Sequence, residues 1–180
     1  FNKNDIQTQV GLDGRTFDSY FSVLEHTYQI QKLQPYFNNQ LKRLVKTPKI
    51  FSIDTGVLSH LLQISSEEEF NKSPLKGEIL ETFIFSELLK ANSYAQNRVN
   101  LYYYRTTDKK EIDFILEYSN KIIALEIKAS KTVKKDDFKH IYNLKNEIQK
   151  DFDKGIVLYM GDTFLQIDEN MFAIPIGFLK

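Results

Sequence analysis

Asp113 and Glu126 sit in two strand-like stretches, Glu111–Tyr118 and Lys121–Lys128, joined by Ser119-Asn120. If Ser119-Asn120 form a two-residue hairpin loop, the register sets Asp113 directly opposite Glu126. Cβ atoms of such partners lie roughly 4.5–5.5 Å apart. Lys128 shares the face of Glu126, about 6.6 Å further along the strand. Ile112, Phe114 and Leu116 then face the other way together with Ile123, Leu125 and Ile127, so one side of the hairpin is apolar. Two opposed carboxylates repel unless something positive lies between them. A divalent cation removes that conflict, and oxygen-only ligands suit Mg²⁺ or Mn²⁺ rather than zinc. Lys128 beside the ion is placed to orient a water or to stabilise developing phosphate charge. The plainer alternative is a half-solvated strand face with a Glu–Lys pair.

Glu81 adds a third acid. It shares a helical face with Gly77, Ile84, Phe85 and Leu88, and an acid inside an apolar stripe is costly to bury unless paired or ligated. Alternatively it lies at the edge of the stripe and snorkels, or pairs with Arg105.

These residues need an α+β scaffold. The pattern predicts a helix over Lys76–Asn92 and strands over Asn100–Arg105, Glu111–Tyr118 and Lys121–Lys128. A helix over Val133–Gln149 follows, then strands at Gly155–Met160, Phe164–Ile167 and Met171–Ile174. An earlier lobe opens with Asn4–Val10 and the turn Gly11–Gly14. A helix capped by Thr16 runs to His26, with Phe17, Tyr20, Phe21 and Leu24 at helical spacing. Extended stretches at Tyr28–Leu33 and Lys49–Ile53 and a helix over Thr55–Leu62 complete it. This is the order of a winged helix-turn-helix whose first helix lies upstream. The reading divides the chain into a partial winged helix over 1–64, a linker over 65–75 and an α/β domain over 76–180.

Composition narrows the classes. The 180 residues include no cysteine, which excludes disulfides, zinc–thiolate sites and cysteine catalysis, and fits a reducing cytoplasm. No apolar run approaches the roughly 20 residues a membrane helix needs, and no G-x-x-x-x-G-K loop is present to hold a nucleotide. His26, His60 and His140 show no ligand spacing and read as structural or solvent-facing. The chain opens on Phe1 rather than Met, so a fragment of a longer protein is expected. Its formal net charge is 0, but that is an average over unlike parts. Tyr28–Ile50 carries +5 and Ile64–Glu87 carries −4. Lys42, Arg43, Lys46 and Lys49 make the basic stretch, where a wing would meet DNA phosphates. Arg15 and Ser19 on the preceding helix, and Tyr36 and Phe37 nearby, are further candidates. Arg105 either grounds a phosphate or pairs with Glu81 or Glu111. The alternative for the basic stretch is a solvated loop or a docking surface.

Glu81, Ile112-Asp113 and Glu126-Ile127-Lys128 resemble the signature of the PD-(D/E)xK nuclease-like fold, in the arrangement of archaeal Holliday-junction resolvases. A wider set of segments occurs in family order: Leu33-Gln34-Pro35-Tyr36, Lys42 to Lys49, Asp54-Thr55-Gly56, Gly77 to Glu81, Tyr103-Tyr104-Arg105, Glu111 to Phe114 and Gly155 to Tyr159. Over about residues 7–179 they are similar to the C-terminal domain of unknown function of a prokaryotic AAA-type ATPase family. The resemblance implies an upstream ATPase module that would hold ATP, then a winged helix, then a restriction-endonuclease-like domain with a mixed central sheet flanked by helices. It assigns Glu81, Asp113 and Glu126 as metal-binding acids and Lys128 as the catalytic lysine. Two functions follow as expectations. One is Mg²⁺- or Mn²⁺-dependent hydrolysis of DNA, and the other is a non-catalytic DNA- or partner-binding module serving the ATPase.

Overall fold

The computed structural model describes residues 3–37 and 44–179. Lys42 and Arg43 therefore lie outside the described residues.

Two helices come first, α1 (Lys3–Val10) and α2 (Gly14–His26). Asp13, not Thr16, caps α2, its carboxylate accepting the backbone N–H groups of Arg15 and Thr16. An aspartate one step before the helix holds the first free N–H groups and favours the positive helix end as well. Strands β1 (Ile30–Leu33) and β2 (Lys49–Ser52) form an antiparallel ribbon, followed by α3 (Thr55–Leu61), which Asp54 caps in the same way.

The stretch expected as a linker contains a helix, α4 (Glu67–Lys72). Its physical basis was in the sequence. The Ser66 hydroxyl accepts the Glu69 N–H, while the Glu69 carboxylate reaches back to the N–H and hydroxyl of Ser65. Glu67, Glu68 and Glu69 also fill the first turn, where the helix dipole favours negative charge.

The long helix α5 (Lys76–Tyr94) leads into β3 (Asn100–Arg105), β4 (Glu111–Tyr118) and β5 (Lys121–Lys128). A short 3₁₀ turn over Lys135–Phe138 enters α6 (Lys139–Ile148), so the helix expected from Val133 starts later. Strands β6 (Phe152–Tyr159), β7 (Leu165–Asp168) and β8 (Met171–Pro175) complete a six-stranded mixed sheet in the order β3-β4-β5-β6-β8-β7. β3, β4 and β5 are antiparallel, β6 runs parallel to both β5 and β8, and β7 is antiparallel to β8. The fold is mixed α+β.

Ser119 and Asn120 both have positive φ, 45° and 61°, the backbone of a tight two-residue hairpin turn. The hairpin register expected from that turn is present, with partners running from Tyr118↔Lys121 to Phe114↔Leu125. The expected apolar face holds for Phe114, Leu116, Leu125 and Ile127 but not for Ile112, and the opposite face is apolar as well. Between the pairs Tyr102↔Ile115 and Tyr104↔Ile112 the register shifts, so β4 carries one extra residue around Asp113. Such a bulge reverses the side-chain alternation. Ile112 joins Ile115, Ile122 and Ala124 in the core beneath α6, whereas Phe114 joins Leu116, Leu125 and Ile127 beneath α5. Helices cover both faces of the hairpin, and Glu111, Asp113, Glu126 and Lys128 lie at the end away from the turn.

The other edge of β3 is occupied as well. Gln34 and Tyr36 exchange backbone hydrogen bonds with Tyr103, Val45 N–H donates to Arg105 O, and the Tyr103 hydroxyl donates to Thr47 O. These bonds cover what would be an open sheet edge. They also fix where β2 must lie.

Candidate functional site

The bulge sets Asp113 at the end of the hairpin, where its Oδ2 accepts the Ile127 backbone N–H at 2.8 Å. This bond locks Asp113 against the strand that carries Glu126 and Lys128. The Lys128 ammonium stands 2.8 Å from Glu126 Oε1, and Glu126 Oε2 is buried without a hydrogen-bond partner. Glu81 reaches the same place from α5. The four residues singled out from sequence are thus gathered at one end of the sheet.

A fifth side chain enters from the ribbon. Lys49 Nζ lies 2.6 Å from Glu81 Oε1, 2.6 Å from Glu111 Oε1 and 3.9 Å from Asp113 Oδ1. The ring of Tyr103 lies beneath it, with its centroid 5.5 Å away. Lys49 was expected on the basic surface, but its side chain is only 17% exposed and its charge is taken up by these acids. Period-two alternation explains the placement. Phe51, two residues on, is buried under α5, so Lys49 on the same face of β2 also points inward. Glu111 was missed as a member of the cluster. It also holds Arg105, whose Nε is 3.2 Å from Glu111 Oε2, so of the two ion pairs expected for Arg105, with Glu81 or with Glu111, the one with Glu111 is formed.

Crowding perturbs the acids. Burial, and then the charge of Asp113, push Glu81 up to about 7 against the pull of Lys49. Burial and Asp113 likewise push Glu126 up to about 7, with Lys128 opposing. Asp113 itself is raised, chiefly by burial, with Lys49 and the Ile127 N–H opposing. For Lys128 burial disfavours the charge, but Glu126 prevails and the ammonium is held above its ordinary range. The same balance, struck by Glu81 and Asp113, raises Lys49.

The donors are of the type a hard divalent cation takes: carboxylates only, one of them with an unpartnered buried oxygen. Their spacing is another matter. Among the described residues no three acidic or histidine side chains are arranged to grip an ion. An ammonium lies between two of the acids instead.

The other expected contacts separate from this cluster in kind. Lys46 and Arg15 are exposed, the latter on α2, as are Ser19 and Phe37. Tyr36 offers no aromatic platform, being buried edge-on to Tyr102 with ring centroids 5.7 Å apart. No helix among the described residues is long and apolar enough to cross a membrane.

Comparison with known proteins places this architecture. Residues 76–179, the α5-to-β8 unit and its tail, match the family profile described as a domain of unknown function, DUF4143. Residues 1–68 match a second domain of unknown function, DUF8612. Uncharacterized proteins of Mycobacterium bovis and Mycobacterium tuberculosis are each 31% identical over 132 residues, which is 73% of this chain and 29% of the relative. The chain thus spans under a third of the length of these curated relatives. No solved structure matches it. The profile over residues 76–179 takes in more than half of the sequence, and the chain belongs to the DUF4143 family.

Proposed function

We propose that the α5-to-β8 unit is a PD-(D/E)xK nuclease-like domain that hydrolyses DNA phosphodiester bonds with Mg²⁺ or Mn²⁺. One observation carries the reading. Glu81, Asp113, Glu126 and Lys128, distant in sequence, meet at one sheet end, and a buried carboxylate oxygen there lacks a partner. Asp113 and Glu126 would hold the metal, with Glu81 completing the site. Bound there, the ion would lower the pKa of its water and neutralise phosphate charge. Lys128 stays protonated near neutral pH because Glu126 outweighs its burial. It therefore acts as a cation and hydrogen-bond donor toward water or phosphate, not as a base.

The preceding α1, α2 and the β1–β2 ribbon form, in this reading, a winged-helix arrangement. Lys42, Arg43 and Lys46 between the ribbon strands, with Arg15 on α2, contact DNA phosphates. An ATPase module elsewhere in a longer, cytoplasmic polypeptide would supply the ATP-dependent step, in keeping with the greater length of the relatives.

The purified chain with Mn²⁺ should nick or cut at least one DNA form, and Asp113→Ala should slow that about 100-fold or more. Assays on linear, supercoiled, branched and single-stranded DNA check it. A second reading, the non-catalytic DNA- or partner-binding module, is favoured by Lys49 standing among the acids. It predicts equal turnover by wild type and Asp113→Ala at background level. DNA retention would then be salt-sensitive and lost on charge reversal at Lys42 and Arg43.

A further inference from the structure

We propose that the sheet end beside the acid cluster carries a lysine surface for the phosphate backbone of duplex DNA, built by the DUF4143 unit itself and separate from the ribbon. It consists of Lys109 and Lys110 in the turn between β3 and β4, Lys131, Lys134 and Lys135 between β5 and α6, and Lys139 at the start of α6. The inference rests on the reading above only for the choice of DNA as partner. It needs neither a metal ion nor hydrolysis.

The topology brings these lysines together. β4 begins where β5 ends, because the two are antiparallel neighbours joined at their far end by Ser119-Asn120. Lys110 precedes β4 and Lys131 follows β5, so both leave the sheet at the same end. The segment after β5 is tied there by Met160 N–H, which donates to Ser130 O at 3.0 Å, and by Phe138, which is fully buried in the core. The charges of three elements converge on His140 in the first turn of α6. Burial, then Lys139, Lys128 and Lys110, hold it below its ordinary range, with Asp136 opposing. The β3–β4 turn is closed by Thr106 N–H to Lys110 O and Lys109 N–H to Thr106 O. Lys109 has φ 64° within it, a conformation that glycine or asparagine adopts at lower cost.

All six are exposed except the half-buried Lys110, and among the described residues none of them forms an ion pair. Aspartates are close in sequence, but their carboxylates are turned to other donors. Asp137 accepts the Lys134 N–H at 2.7 Å, Asp162 the Thr163 hydroxyl at 2.9 Å and Asp108 the Thr107 hydroxyl at 3.2 Å. Like charges left unpaired repel one another, and a polyanion that sheds its counterions relieves that cost. Between Lys131 and Lys139 the apolar residues turn inward, Val133 against the core and Phe138 within it. Insertion into a lipid interface needs apolar side chains beside the charges, and single strands are held by exposed aromatic rings on which bases stack. Charge alone suits a duplex backbone, which is contacted without reading bases. The surface also continues toward the ribbon. Leu44 bridges Thr106, and Val45 N–H donates to Arg105 O, so exposed Lys46 lies on the chain that borders the Lys109 turn.

The full chain in the presence of EDTA provides the test, since only binding is read. Fluorescence anisotropy of a labelled duplex is followed between about 50 and 200 mM salt. The wild type is compared with a variant carrying Lys131→Gln, Lys134→Gln and Lys135→Gln together. The variant should bind about tenfold or more weakly at the lower salt. Its slope of log affinity against log salt should shrink by about 2–3, near one unit for each lost phosphate contact. Arginine at the same positions should restore both affinity and slope. An unchanged slope in the glutamine variant would overturn the proposal and leave the ribbon as the DNA contact. No binding by the wild type would overturn it together with the DNA reading. Poly-glutamate competing as well as duplex at equal charge would assign the surface to an acidic protein and overturn it too. Binding that depends on these lysines, with no DNA form cut in Mn²⁺, would support the surface while removing the nuclease reading.

Discussion

Replacing Phe85 with alanine should cost about 3–5 kcal/mol of folding stability, the usual range for deleting a fully buried aromatic ring. Phe85 stacks on Phe51 at a centroid distance of 4.4 Å and on Phe114 at 6.0 Å, and Phe51 and Phe114 are themselves 5.9 Å apart. The three rings come from α5, β2 and β4. Their contact joins the ribbon to the helix and the sheet, in a core that also contains Ile84, Leu125 and Ile127. Little on the ribbon side can close the resulting gap, because β2 is only four residues long and its register with β1 is fixed. Urea denaturation of the two proteins measures the loss. A cost under about 1 kcal/mol would mean that the ribbon collapses into the space left by the ring. The variant should also loosen Lys49, which shares a face of β2 with Phe51 and owes its position to that stack.

The same triad shows what sequence could and could not reveal. Phe85 was legible as core because it repeats with Ile84 and Leu88 along a helix, and Phe114 because it falls in an apolar strand. Both inferences use only local period. The hairpin register was legible for a similar reason, since a two-residue turn leaves no freedom in the pairing. What local period cannot supply is an insertion between non-adjacent partners. The bulge at Asp113 is a mismatch between β3 and β4, and it moved Ile112 to the opposite core. Nor could charge counting locate Lys49. It belongs to a basic run, and only the burial of Phe51 two residues later signals that it turns inward. The helix over Glu67–Lys72 had its caps written in Ser65, Ser66 and Glu69, but a polar stretch ending in proline reads as a linker when capping is not weighed against composition. Glu81 was the converse case. An acid in an apolar stripe gave a correct warning of burial, while its partner lay more than thirty residues upstream.

Lys49→Met should be the most damaging single change at the site, and its cost should depend on pH. The wild type sets the reference. Glu81 and Glu126 are raised to about 7 from an ordinary carboxylate value near 4.5, so the folded chain binds their protons more tightly than the unfolded chain does. Stability from these two groups is therefore greatest below about pH 4.5 and is lost as pH rises through about 7, after which it is level. Lys49 limits that loss by offsetting the charge of Glu81 and Asp113 as they ionise. Methionine keeps the length and apolar bulk of the stem but removes the charge. At pH 8 the variant is left with several buried carboxylates facing one another, and removing one partner of a buried ion pair costs about 3–5 kcal/mol. At pH 5 Glu81 takes up a proton instead, and the cost should fall to less than half of that. Denaturation curves for both proteins at the two pH values give the comparison. Adding Glu81→Gln to the variant should recover stability at pH 8 and change little at pH 5. A cost that is the same at both pH values would assign the role of Lys49 to its packing over Tyr103, 5.5 Å from the ring centroid, rather than to its charge. The acid cluster would then have to be stable on its own, and no cation, tethered or free, would be needed to hold it together.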